Sequence, residues 1–277
     1  MHLRGAKSIS NICMSICKTI RNAIIECKLI SLQKLMETDT LVLHRNIWGK
    51  LYKIEGNAIK QNQGTNFVDI FHIGSTAISD IYAKPKIDMA MIVKDLEQSK
   101  KLEALNYQYK GCLNIPFRYF YSKKTDKLCA HLHVLLSGDP ELDGFLLFRD
   151  YLNTHEDVRK EYSELKLKIQ KLLETAENEH FLNEYTLAKN DFITSVLRKA
   201  GFKGYCMRLV SHYTEQNYEK SVFPQFNKDD IRVIFYKGAD IIGYANADIK
   251  SKQINFFEVS ENAEYFRNRF TAYLTSL

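Results

Sequence analysis

Short apolar runs separated by turn residues dominate the chain between residues 39 and 138. Such runs, rich in β-branched and aromatic residues, are typical of strands. Two helices interrupt them: one carries Trp48 and Ile59 on its apolar face, and the other follows Asp95, a residue suited to an N-cap. The predicted strands cover residues 41–43, 71–73, 87–93, 107–111, 117–121 and 130–136.

From Asp139 onward the apolar period becomes that of helices. Pro140 is suited to a first helical turn, and a second helix follows Thr154 at a capping-box-like sequence. A third helix covers about residues 178–200, and Gly201 is placed to end it. The second helix has an apolar stripe with the spacing of one helix face. The stripe comprises Val158, Tyr162, Leu165, Ile169 and Leu172.

After Gly201 the pattern returns to strands. Residues 237–240, Lys-Gly-Ala-Asp, predict a hairpin turn. The predicted strands cover residues 207–210, 231–236, 241–245 and 254–259, with a short helix at 217–223 and a closing helix at 263–274. We therefore predict an N-terminal extension at residues 1–38, a main α+β domain at 39–201 and a small α/β domain at 202–277.

The N-terminal extension differs in composition from the rest of the chain. Basic residues such as Arg4 and Lys18 come before the first acidic residue, Glu26, and Ser and Ile are frequent. A targeting-type amphipathic segment, an extra helix and a late translation start at Met36 all agree with this composition. The broken apolar pattern favours the extra helix or the late start.

Composition sets broad limits on function. The net charge of +6 permits an anionic partner, but the chain contains no Lys/Arg block and so no strong nucleic-acid signature. Six cysteines without a C-x-x-C pair indicate reduced thiols and a cytoplasmic protein. No run of about 18 apolar residues is present, so we expect no membrane span.

Candidate chemistry is concentrated in residues 71–93. A strand leads into Gly74-Ser75, and the next strand carries one acidic residue, Asp88. Glycine lets backbone N–H groups approach a ligand closely, and the neighbouring hydroxyl can complete an anion cradle. A carboxylate in an apolar strand is costly unless it is paired or binds a metal. A nucleotide site needs both parts, although a plain turn and a strand-end cap would give the same pattern.

Two histidines share one face of a later strand. His131 and His133 lie two positions apart in the run AHLHVLL. Two imidazoles on one face can bind a metal or a phosphate. Histidines that are only hydrogen-bonded within a packed edge strand would show the same spacing.

Several motifs, in order along the chain, together resemble the GrpB family, a branch of the nucleotidyltransferase superfamily. The resemblance covers about residues 41–200. Its motifs are Trp48 with Tyr52, the signature His72-Ile-Gly-Ser-Thr-Ala77 with Ala83-Lys-Pro85 and Asp88, Ala130-His-Leu-His-Val134, Phe148-Arg-Asp-Tyr-Leu152, and Tyr185 with Ala188-Lys189.

This resemblance implies a mixed sheet flanked by helices and a site for a nucleoside triphosphate. Gly74, Ser75 and Thr76 would form the phosphate turn, and Asp88 would be the first carboxylate for Mg²⁺ or Mn²⁺. Ser75 and Asp88 would be catalytic, and a nucleotidyl group would pass to an unknown acceptor. Two bound metal ions would stabilise the attacking and leaving oxygens.

The chain departs from the superfamily pattern at its second metal ligand. Ala90 stands where D-x-D or D-x-E would place another carboxylate. The remaining set of Asp88, His131 and His133 suits Mn²⁺ or Zn²⁺ better than Mg²⁺, or a site with one metal or none. A non-catalytic module that binds a nucleotide or a partner is therefore an alternative to a transferase.

Cationic side chains in the same motifs are candidates for binding the anion. Lys84 lies in the signature loop, and His72 opens the signature. Arg149 could instead pair with its neighbour Asp150. The full set of candidates is Lys84, Arg118, Arg149 and Lys189, with His72.

The C-terminal tail faintly resembles the GNAT acyltransferase fold. Residues 207–210, 237–243 and 254–259 look like its opening strand, central hairpin and fourth strand. The stretch where that fold holds the coenzyme A pyrophosphate, residues 260–269, has no Gly and two acids here. We expect a degenerate packing or binding domain, with acyl transfer as the least favoured function.

Overall fold

A computed structural model describes residues 40–175, 180–210 and 230–277. Within these ranges the chain forms a five-stranded mixed sheet with helices, followed by a unit built on a four-stranded sheet. The predicted α+β class is confirmed. The N-terminal extension and the predicted helix at 217–223 lie outside the described residues.

The five-stranded sheet has the order β2-β4-β7-β6-β5. Strand β4 runs parallel to β7, and every other neighbouring pair is antiparallel. A separate short pair joins β1 to β3. The strands are β1 (Val42–Leu43), β2 (Phe67–Ile73), β3 (Tyr82–Ala83), β4 (Ile87–Val93), β5 (Gln108–Tyr109), β6 (Tyr119–Thr125) and β7 (Leu128–Leu136).

Four α-helices of this domain are described, and the last three of them follow β7. Asp139 accepts a hydrogen bond from the backbone N–H of Glu141, and Pro140 occupies the first turn, as the sequence predicts. The helices are α1 (Ile47–Gln63), α2 (Pro140–Thr154), α3 (Glu156–Thr175) and α4 (His180–Lys199).

The alternation of side chains along β4 positions the candidate site. Ile87, Met89 and Met91 lie in the main hydrophobic core, together with Trp48 of α1. Because successive strand residues point to opposite faces, Asp88 lies on the other face of the sheet.

The neighbouring strand β7 places its histidines on the same face. In the parallel register His131 is the partner of Asp88, and His133 is the partner of Ala90. The candidate acid and both histidines therefore share one side of the sheet.

The C-terminal unit is an antiparallel sheet covered by one helix. The predicted hairpin is confirmed, since residues 237 and 240 pair at its turn. Phe235, Phe266 and Phe270 are fully buried in its core. Its elements are β8 (Tyr205–Leu209), β9 (Asp230–Lys237), β10 (Asp240–Asp248), β11 (Ile254–Val259) and α5 (Ala263–Ser276).

Two local predictions differ from the structure. The segment after Asp95 is a 3₁₀ helix, Glu97–Leu105, whose N-cap is Leu96, and the Asp95 carboxylate accepts from the N–H of Glu97. The second aromatic strand begins at Tyr119 instead of residue 117, because Phe117 has a left-handed backbone with φ of 64°. In the described part of the chain, no helix is long and apolar enough to cross a membrane.

Candidate functional site

Gly74 brings the end of β2 against Asp88. Its φ of 68° lies in the left-handed region, which glycine adopts without strain. A Cβ atom at this position would lie 2.6 Å from the Asp88 Oδ2 atom. Conformation and packing both require glycine here. Gly74 and Asp88 are therefore adjacent in the structure.

Asp88 and His131 form a carboxylate–imidazole pair. The His131 Nδ1 atom lies 3.2 Å from the Asp88 Oδ1 atom, and about a quarter of each side chain is exposed. Burial alone would raise the pKa of Asp88, but the hydrogen bond from His131 and nearby cationic side chains, including Lys189, hold it below its usual value. Asp88 is therefore ionised and orients the His131 ring.

His133 is bound to Arg118. The guanidinium NH1 lies 3.1 Å from His133 Nδ1. Because a guanidinium only donates, Nδ1 must accept, and the ring proton is on Nε2. Burial and the Arg118 charge lower the pKa of His133 to about 3, so this imidazole is neutral.

The side chains of His72 and Thr76 lie close together and stabilise the Gly74-Ser75 turn. The His72 ring stacks on Tyr52, and its Nε2 atom lies 3.0 Å from the Thr76 Oγ1 atom. The Thr76 hydroxyl donates to the carbonyl oxygen of Lys86 at 3.1 Å. Burial lowers the pKa of His72 to about 4. Thr76 is only 2% exposed, so its hydroxyl positions the turn and does not face a ligand, in contrast to the sequence expectation.

The predicted three-residue metal set does not assemble. Among the described residues, no group of three or more His, Cys, Asp or Glu side chains is arranged to hold a metal ion. Asp88 and His131 bond to each other, while His133 bonds to Arg118. A cation that donates to His133 Nδ1 also argues against a metal ion at that nitrogen.

Lys166 is a site residue that sequence reasoning missed. It lies on α3, is 6% exposed, and its Nζ atom has no hydrogen-bond partner within the described structure. The ammonium lies 5.0 Å from the centre of the Tyr162 ring. It interacts electrostatically with Lys189 of α4 and with Asp88.

The environment of Lys166 opposes its charge. Burial, with a contribution from Lys189, lowers its pKa to about 7. A signal was present in the sequence, since Lys166 follows Tyr162 by four positions and precedes Ile169 by three, so it falls on the predicted apolar stripe. A lysine inside such a stripe indicates a buried amine.

The other predicted cations have different positions. Arg149 donates to both carboxylate oxygens of Asp150 and to the carbonyl oxygen of His72, so the structural alternative holds for it. Lys84 is half-buried in the signature loop. Lys189 is close enough to Asp88 and Lys166 to act on both, whereas Arg118 is occupied by His133. The side chains of Tyr185 and Ala188 lie outside the described part.

These features define an α+β domain in which a glycine turn lies against an ionised carboxylate, and a buried lysine of α3 interacts electrostatically with that carboxylate. The profile of the family described as GrpB protein matches residues 39–199, and the chain belongs to that family. The predicted membership is confirmed. The C-terminal unit lies outside the matched residues, so its GNAT-like character stays a prediction.

Individual relatives agree with this assignment. The Glutamate-rich protein GrpB of Alkalihalophilus pseudofirmus is 32% identical over 168 residues, which cover 57% of this chain and 94% of that protein. The UPF0157 protein YqkA of Bacillus subtilis is 31% identical over 164 residues, 58% of this chain and 46% of YqkA. The chain thus spans less than half the length of YqkA.

A solved structure supports the fold. The crystal structure of conserved protein GrpB from Enterococcus faecalis is similar with a TM-score of 0.51 and 26% sequence identity. The similarity covers 58% of this chain and 96% of that one. The solved structure therefore supports the fold over more than half of this chain.

Proposed function

We propose that this GrpB-family domain binds the polyphosphate of a nucleotide at the Gly74-Ser75 turn, with Lys166 and Lys189 providing positive charge. The observation that carries the proposal is the Lys166 ammonium, which is buried without a hydrogen-bond partner in the described structure and interacts electrostatically with Asp88. A buried amine of this kind costs free energy in the ligand-free protein. A phosphate oxygen would supply the missing acceptor and charge.

Nucleotidyl transfer is the activity that we propose for the bound nucleotide. Asp88 holds His131 Nδ1 as a donor, which leaves Nε2 as the basic nitrogen of the ring. His131 would take the proton of an acceptor hydroxyl while that oxygen attacks the α-phosphorus. The bond to the leaving pyrophosphate breaks with its electron pair on the pyrophosphate oxygen, and the lysines stabilise the charge there.

In this proposal a divalent ion would bind together with the nucleotide. Mg²⁺ is commonly held by substrate phosphates with one or two carboxylates. Asp88 is the residue here that would hold Mg²⁺ or Mn²⁺. Such an ion would supply electrostatic stabilisation of the phosphate charge.

A binding module without transfer is the second candidate. Ala90 is fully buried at the position where a second carboxylate would stand, and no three-residue metal group forms among the described residues. Both observations favour loss of the usual chemistry with the nucleotide site retained. The two candidates share the same binding site and differ only in turnover.

Calorimetry with each of the four nucleoside triphosphates, with and without Mg²⁺ or Mn²⁺, tests the binding site. We expect Lys166→Met to weaken binding at least tenfold, about 1.4 kcal/mol. Asp88→Asn should weaken it in the presence of the metal ion. Lys168→Met on the exposed face of the same helix is the matched control and should bind like the wild type. Equal affinities for all four proteins would refute the assignment.

Label transfer then separates the two candidates. The wild type is incubated with α-labelled nucleotide and a panel of RNA, protein and aminoglycoside acceptors. Transfer that is lost in His131→Ala, while binding is kept, supports a nucleotidyltransferase. Binding without transfer to any acceptor supports the module.

A further inference from the structure

Residues 111–117 connect β5 to β6 but pack against the C-terminal unit. Cys112 and Phe117 lie against the core of that unit. The Phe117 ring centre is 6.0 Å from that of Tyr273 and 5.0 Å from the Arg269 guanidinium, both on α5. This segment is therefore one place where the C-terminal unit contacts the GrpB-family domain.

The backbone of this segment is strained at a bulky residue. Phe117 has a φ of 64°, in the left-handed region that large side chains rarely occupy. Such conformations persist where the surroundings fix them, and they concentrate at functional sites. A cavity of about 450 Å³ lies beside the segment and is lined in part by Phe117 and Arg269. Arg269 and Tyr273 contact this ring, and the Leu209 N–H of β8 also holds the segment by donating to the Asn114 carbonyl oxygen at 2.9 Å.

The next residue links this segment to the candidate site. Arg118 is 4% exposed, and its guanidinium donates to His133 Nδ1 at 3.1 Å and to the carbonyl oxygen of Cys112 at 2.9 Å. Cys112, near the start of the segment, therefore accepts a hydrogen bond from Arg118, the residue that follows its end. A change in the shape of the segment must move Arg118 relative to His133.

We propose that the C-terminal unit is a control element for the candidate site, and that Phe117 is the positioning residue through which it acts. The contacts of Arg269 and Tyr273 with the Phe117 ring keep residues 111–117 in the shape that places Arg118 on His133. A partner or ligand that moved α5 would release Arg118. This inference concerns the position of Arg118 and holds whichever ligand the site binds.

The tautomer of His133 reports whether Arg118 donates to its Nδ1 atom. While the guanidinium donates to Nδ1, the ring proton stays on Nε2. Long-range ¹H–¹⁵N NMR of the full-length protein reads this directly, with the His133 signals assigned by comparison with His133→Gln. The wild type should show the single Nε2–H tautomer. Phe117→Ala and Tyr273→Leu should show averaging between the two tautomers.

Two further variants distinguish a specific effect on the position of Arg118 from a general loss of packing in the C-terminal unit. Phe117→Tyr keeps the ring and should keep the wild-type tautomer. Arg267→Ala removes a cation from the same helix, where it lies 4.3 Å from the Phe257 ring centre inside the C-terminal unit. This control should also keep the wild-type signals.

The outcomes decide the proposal without reference to nucleotide binding. Wild-type signals in both Phe117→Ala and Tyr273→Leu would overturn it, as would equal averaging in Arg267→Ala. If Phe117→Ala does not fold, Tyr273→Leu decides alone. A wild-type protein that binds no nucleotide would end the proposed function and leave this test intact.

Discussion

Lys166 shows what the fold tolerates at the scale of a single residue. An amine buried without a hydrogen bond is destabilising, and natural proteins retain such groups mainly where they serve a site. The Gly74 turn is just as constrained, since a side chain there would collide with Asp88, the carboxylate with which Lys166 interacts electrostatically. Lys166 lowers stability, Gly74 restricts the sequence, and each of them interacts with Asp88, which agrees with a binding site around this carboxylate.

Lys166→Met is predicted to stabilise the protein in a pH-dependent way. The pKa of Lys166 is about 7 in the folded protein, against a usual value of 10.5. Between these two pH values the unfolded chain binds more protons, so this lysine makes wild-type stability rise with pH. Below about pH 7 both states are protonated, and the folded state carries the full cost of the buried ammonium.

The variant should therefore unfold with a free energy about 1–3 kcal/mol higher at pH 7, and the difference should shrink towards pH 10. Urea unfolding at a series of pH values measures this. Lys168→Met, which is exposed in the wild type, should show no such trend. A stability difference that stays constant with pH would contradict the pKa of Lys166.

At the scale of elements, the rotation of α3 decides which residues reach the site. The sequence predicts one apolar stripe, but the structure buries Ser163 and Lys166 and leaves Leu172 55% exposed. Hydrogen bonds fix this rotation: Ser163 Oγ accepts from the Tyr82 N–H at 2.9 Å, and Gln170 Oε1 accepts from the Leu41 N–H at 2.8 Å.

This rotation explains how much of the site could be predicted from the sequence. Gly74 and Asp88 come together because β2 and β4 are paired strands that are close in the sequence. Side chains along a strand alternate between faces, and this period of two already puts His131 and His133 on one face. The position of Lys166 depends on contacts between residues far apart in the chain, which a periodic pattern does not contain. The Arg118–His133 bond also depends on a left-handed residue that no composition rule predicts.

The different burial of two residues on α3 predicts different losses of stability, and the exposed residue serves as the control for the buried one. Ile169 is 4% exposed, whereas Leu172 lies on the same predicted stripe and is mostly exposed. Ile169→Ala should lower the free energy of unfolding by about 2–4 kcal/mol, and Leu172→Ala by less than about 0.5 kcal/mol. Chemical denaturation of both variants measures the difference. Equal losses would mean that the helix faces the domain with the stripe that the sequence predicts.

At the scale of the whole molecule, the start of α2 joins the two units. By position, Asp139 is an ordinary N-cap residue and Glu141 an ordinary first-turn acid of a helix. In the structure Glu141 accepts from both terminal nitrogens of Arg208, and Asp139 pairs with Arg269 at 3.1 Å. The acids that begin a helix of the GrpB-family domain thus also hold the C-terminal unit against it.

Glu141→Gln is predicted to destabilise both units together. The Glu141 side chain is 4% exposed, so its loss as a carboxylate leaves the Arg208 charge in a largely buried position without its partner. We expect the free energy of unfolding to fall by about 2–4 kcal/mol, near the range for broken buried pairs. Asp240→Asn breaks the Arg198–Asp240 pair, whose side chains are 57% and 65% exposed, and should cost less than about 1 kcal/mol.

Trp48 makes this measurement specific to one unit. It is the single tryptophan of the chain and is fully buried in the GrpB-family core, so its fluorescence reports the unfolding of that domain. If the junction couples the units, Glu141→Gln shifts the Trp48 transition and the far-UV circular dichroism transition to lower urea by the same amount. An unchanged Trp48 transition with an earlier circular dichroism step would show that the units unfold independently. The junction would then be too weak for the C-terminal unit to control the site through Phe117.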